Sequence, residues 1–102
     1  MTPEFVPAEF GQVMGCTVAD LLRALPVALP GASIDPDPAI GVIQVQFPDG
    51  TLRLVWQSLP ARRIALLEIP RLQVQFQYAG LSAERRHEVQ RRFDLATQRG
   101  GG

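Results

Sequence analysis

The residues that could do chemistry in this 102-residue chain are few and scattered. Cys16 precedes Thr17 at the expected start of a helix, where a thiol pKa can fall and a nucleophile can form. The only histidine, His87, lies in the last expected helix, and nothing in the sequence joins the two. Cys16 is therefore read as a small packing residue near Leu21. One histidine without a second His or Cys makes no ordinary zinc site. Asp35 and Asp37 alternate with prolines, a pattern that starts turns. There is no P-loop, no dinucleotide-binding glycine fingerprint and no nucleophile elbow. The sequence thus assigns no catalytic residue, no cofactor and no metal ligand, and the expectation leans away from an enzyme.

Two further patterns invite a functional reading. Arg85, Arg92 and Arg99 recur every seven residues along one border of the last helix, with Arg86 on the other. They could line an anion groove, but Glu88 can pair with Arg92 or Arg91, and arginine stems commonly cover core edges. The chain ends RGGG. Small carrier proteins expose C-terminal glycines on a free strand, whereas these follow a helix. Gly100 suits a helix stop, and residues 99–102 read as a frayed tail. A glycine-tail carrier is the remote alternative.

Bulk properties set the frame. The length supports one domain, residues 1–102, and the 46% hydrophobic content is that of a globular chain. No apolar run reaches the ~18–20 residues a membrane helix needs. No basic residue precedes Arg23, so no signal or transit peptide is expected. With one cysteine and no internal disulfide, the expected setting is the cytoplasm. Residues 1–51 hold six acids against Arg23, and residues 52–102 hold nine arginines against four acids. Packing of the two halves on each other explains this split without a nucleic-acid partner.

The elements that must position any site follow from periodicity. Residues 1–15, with Phe5, Val6, Phe10 and two prolines, read as a docked N-terminal arm or edge strand. Residues 17–25 read as a helix, with Thr17 and Asp20 as a capping box and Pro26 as its end. A short strand is expected near Ala32–Ile34. "IGVIQVQF" and "TLRLVWQ" flank "PDG", a β-hairpin in which Gly50 is expected to take a positive φ. Burial of one face selects the register: Gln46 opposite Thr51, Val45 opposite Leu52, Ile43 opposite Leu54. Residues 62–78 hold either two strands or one kinked strand, with a turn or bulge at Ile69–Arg71. Ser82 caps a helix over 82–98. The fold class is α+β: an antiparallel meander of four to five strands, with an N-terminal helix and a long C-terminal helix packed on one face.

The runs "FGQVMGCTVADLLRALP", "LPARRIALLEIPRLQVQF" and "RRFDLATQRGGG" together resemble a family of small bacterial proteins of unknown function. That resemblance implies no active site, ligand or partner.

On this fold, Gln44, Gln46, Arg53, Gln57, Arg71, Gln73, Gln75 and Gln77 share the sheet face away from the helices. Solvated sheet faces are usually rich in charge, whereas this one is mainly amide. Amides lose less on desolvation than charges do. The leading expectation is a binding protein that self-associates through this face, as a homodimer or with another protein. Nucleic-acid binding is disfavoured, because the aromatics that would stack on bases fall on the other face. The alternative is a small-molecule binder or minor enzyme with a cavity lined by Trp56, Phe76, Tyr78 and Phe93 and with Arg53 or Arg86 at its mouth.

Overall fold

The computed structural model describes residues 2–98, and the expected glycine tail lies outside them. Seven elements follow in order: β1 (Glu9–Met14), α1 (Val18–Ala28), β2 (Ser33–Asp37), β3 (Val42–Phe47), β4 (Gly50–Ile64), β5 (Leu67–Ala79) and α2 (Ala83–Thr97). The strands form one antiparallel sheet in the order β1-β5-β4-β3-β2. The α+β class and both helices agree with the sequence reading.

Alternation along the strands builds the core. Ile43, Val45, Leu52, Leu54, Leu72, Val74, Phe76 and Tyr78 all point to one face and are buried. Leu21, Leu25 and Ala28 of α1 join the same cluster, as do Val89 and Phe93 of α2. Both helices therefore cover that face. Each large apolar side chain so buried contributes about 1.5–3 kcal/mol relative to exposure. Phe10 stacks on Phe76 with centroids 4.7 Å apart, and Phe93 meets the other side of Phe76 edge-on at 5.4 Å. These contacts clamp β1 and α2 to the centre of the sheet. Val6 is also buried, and its carbonyl accepts from Arg86 Nε at 2.9 Å. The N-terminal arm is docked by this bond and by its edge strand, β1.

The β3–β4 hairpin has the expected register, with Gln46 opposite Thr51 and Ile43 opposite Leu54. Gly50 departs from expectation. Its φ is not positive; glycine is needed there for space. A Cβ at Gly50 would lie 2.3 Å from the Ala79 carbonyl oxygen. The positive φ belongs to Gly80, across from it at the end of β5.

Two other expectations are corrected. α1 runs through Pro26 to Ala28. Proline in the last turn forfeits little of the ladder, and Leu29 N–H still closes on the Leu25 carbonyl at 2.9 Å. The capping box holds: Thr17 and Asp20 exchange backbone-to-side-chain bonds at 3.1 Å each way. The turn expected at Ile69–Arg71 lies instead at Ala65–Leu66, between paired Ile64 and Leu67. Residues 62–64 complete β4, and β5 begins at Leu67. The irregularity lies on β4, between Leu59 and Arg62. Pro60 and Ala61 stand there opposite Pro70, where missing proline N–H groups cost no ladder bond. Past this bulge the hairpin projects as an arm in which residues 60–68 are all exposed.

Candidate functional site: the open sheet face

All eight sequence-selected polar residues fall on the uncovered face. Strand pairing arranges them in cross-strand rows. One row reads Glu9, Gln77, Arg53, Gln44, Asp35 from β1 to β2. The next reads Gly11, Gln75, Val55, Val42, Asp37. Val13, Gln73 and Gln57 form a third, and Ala79, Thr51, Gln46 and Ser33 close the far end. Arg71 pairs with Leu59 at the root of the arm, and its Nε donates to the Pro60 carbonyl at 3.0 Å. The site thus has a column of amides on β5, one arginine at its centre and acids at both sheet edges.

This face lies low and close-packed. Gln73, Gln75 and Gln77 are half-buried although no helix lies over them. Gly11 leaves a gap on β1 that the glutamines fill: a Cβ there would meet Gln75 Oε1 at 2.7 Å and Gln73 Nε2 at 3.0 Å. Val42 is buried and Val55 half-buried on the same side. Val13 remains 53% exposed. The surface offers amide donors and acceptors around an apolar strip, with little net charge to desolvate.

The other candidates are placed as follows. Phe76, Tyr78 and Phe93 come together, with half-buried Trp56 packed against the same cluster. They fill the space between sheet and α2. Arg53 cannot guard a cavity there, because it faces the open side. Arg86 donates to the Val6 and Leu81 carbonyls, which ties it to the fold. Tyr78 Oη donates to Gln90 Oε1 at 2.7 Å, and Gln90 Nε2 donates to Asp94 Oδ1 at 3.0 Å. Burial, reinforced by the Asp94 carboxylate, pushes the Tyr78 phenol well above its ordinary value.

Arg85 lies over the Phe47 ring, pairs with Asp49 at 3.1 Å and also pairs with Glu88. Glu88 thus engages the arginine one turn before it rather than Arg91 or Arg92. Arg85 spans the acidic and basic halves of the chain. Cys16 is half-buried, and burial followed by the charge of Asp20 raises its thiol pKa. That is opposite to the shift that activates a nucleophile. An open cleft of about 750 Å³ borders Cys16, Asp20, Arg23, Val27 and Thr97. A smaller one of about 250 Å³ lies by Phe47, Arg85 and Arg92. Neither is lined by the four expected cavity residues. No group of three metal-binding side chains occurs among the described residues, and no described helix is long and apolar enough to cross a membrane.

Pairing also places an acid that sequence reasoning passed over, Glu9, and one that it misread, since Asp35 lies within β2 rather than starting a turn. Glu9 and Asp35 sit at the two ends of the Arg53 row. Their place follows only from the β1–β5 and β2–β3 registers. The chain matches no protein-family profile and none of the curated proteins with which it was compared.

Proposed function

We propose that this protein is a binding module that works by associating with a second copy of itself through the open sheet face. The observation that carries the reading is the one-sided sheet: both helices lie on one face, and the other presents amides and valines. An antiparallel sheet tolerates water on one face. Water does not call for a centre built on Gln73, Gln75, Gln77, Val42 and Val55, with Arg53 its one charge. Glutamine side chains carry both donors and acceptors, so they satisfy one another across a twofold axis. The polar groups near the core serve the fold: Tyr78 holds Gln90, Arg86 holds the N-terminal arm, and Asp20 caps α1. A cytoplasmic setting accords with this reading, since the lone Cys16 suits a reducing compartment.

The test is methyl NMR with a soluble paramagnetic agent at high protein concentration. Val13 and Val55 methyl signals are expected to be protected, while Val27 on α1, 75% exposed, is strongly attenuated. Attenuation of Val13 equal to that of Val27 overturns the reading.

A further inference from the structure

The projecting arm has two unlike sides. Alternation along β5 puts Leu67, Ile69 and Arg71 on the same side as Gln73 and Gln75. Across the hairpin, Ile64 pairs with Leu67 and Arg62 with Ile69. Ile69 Cγ2 lies near Gly15, which continues the open side of β1. The arm's open side therefore presents Ile64, Leu67 and Ile69, with Arg62 beside Ile69. Its other side carries Arg63 and Glu68, an ion pair at 4.0 Å. Ile64 is 46% exposed and Leu67 66% exposed. An apolar stripe on one side of an extended, otherwise unpacked hairpin is an unsatisfied surface. It is continuous with the amide column of β5.

We infer that two copies stack face to face about a twofold axis running along β5, with the two arms side by side and Arg53 of each copy opposite Glu9 of the other. This geometry rests on the proposed self-association and specifies its register. Three facts select it. First, an axis along β5 carries β1 of one copy over β4 of the other. Arg53 then meets Glu9, and Val55 lies over Gly11, which has no side chain of its own. An axis along β4 would instead oppose Arg53 with Arg53 and Glu9 with Asp35 and form no opposite-charge pair, whereas the β5 axis sets only Arg71, held by the Pro60 carbonyl, against its own counterpart. An axis along β3 would also give Arg53 an acid, Asp35, but it would leave both arms in solvent.

Second, an axis along the strands points both arms the same way. Leu67 and Ile69 then meet their own counterparts, as an isologous interface requires. An axis across the strands would lay these apolar residues over the partner's glutamines. Aligned sheets of this kind pack ~10 Å apart with their strands within ~30°. Third, the area suffices. Along the overlapping β1, β5 and β4, every other residue faces the partner. β4 is overlapped only where the partner's β1 reaches, so at ~40 Å² each these residues bury roughly 1,000 Å² over both copies, about the minimum for a specific interface.

The test uses charge reversal in the full chain. Glu9→Arg and Arg53→Glu singly are expected to raise the dimer dissociation constant about tenfold or more, and the double variant to restore it. In a Cys16→Ala background, Leu67→Cys is expected to give a covalent dimer with a bis-maleimide that spans ~10 Å, the separation of the two sheets, because the two thiols flank the axis. A stable dimer unaffected by either reversal and not crosslinked through Leu67→Cys overturns this geometry while leaving self-association intact. A chain that stays monomeric overturns both.

Discussion

Replacing Tyr78 with phenylalanine removes one oxygen from the centre of the molecule and little else. Tyr78 is 6% exposed and Gln90 2% exposed. The lost bond, at 2.7 Å, is the one that satisfies Gln90 Oε1. The rest of the chain remains: Gln90 Nε2 still donates to Asp94, and Thr2 Oγ1 still donates to Asp94 Oδ2 at 2.6 Å. A typical hydrogen bond contributes a net ~1 kcal/mol, but a buried acceptor left without a donor raises the loss to about 1–3 kcal/mol. For a domain of this size, ~2 kcal/mol lowers Tm by roughly 8–16 °C. Urea melts at pH 7 and fixed protein concentration measure it. A loss below ~0.5 kcal/mol would show that the oxygen is not structurally required and would refute the reasoning. The same hydroxyl leaves a pH signature. Its pKa is raised by burial first and by Asp94 second, above the ~10 of an unfolded chain. Its contribution is therefore complete below about pH 10 and is lost as pH rises further. The wild type should lose stability above pH 10 more steeply than Tyr78→Phe.

Other substitutions probe separate parts of the fold. Gly50→Ala drives a Cβ to 2.3 Å from the Ala79 carbonyl. Denaturant melts should show a loss of about 1–3 kcal/mol, as for other overpacked sites. Thr17→Ala removes the cap of α1 and should cost ~1 kcal/mol by the same measurement. Asp20 has its pKa lowered by the Thr17 backbone N–H and then by the Thr17 side chain. Its contribution is present above the ordinary carboxylate range and lost as pH falls through the lowered value, so Asp20→Asn should flatten the acid limb of the stability curve. Cys16 should react with iodoacetamide at pH 7.5 more slowly than an exposed cysteine in a peptide, because burial and Asp20 both disfavour its thiolate.

What the sequence made legible was whatever burial dictates. The β3–β4 register followed from Ile43, Val45, Leu52 and Leu54, which must share one face. The eight polar residues of the open face followed from the same alternation. Thr17 and Ser82 announced their helices because side-chain capping is local. The arm was not legible, since residues 60–68 pack on nothing and carry no burial period. Pro70 read as part of a break at Ile69–Arg71; opposite Pro60 at a bulge, it is compatible with a continuing hairpin. Pro26 misled for a related reason, because a proline in a last turn forfeits only one bond. Gly50 was read for its dihedral freedom, whereas its role depends on the distant Ala79 carbonyl. Glu9 became a partner for the open face only once β1 was seen beside β5.

Whether the open face is covered in solution decides the proposed self-association. Sedimentation equilibrium of the wild-type chain at neutral pH and physiological salt measures this most directly. An interface of the proposed area and complementarity predicts twice the 11.2 kDa chain mass at concentrations of about 10–100 µM. A single-chain mass that persists to millimolar concentration would contradict it.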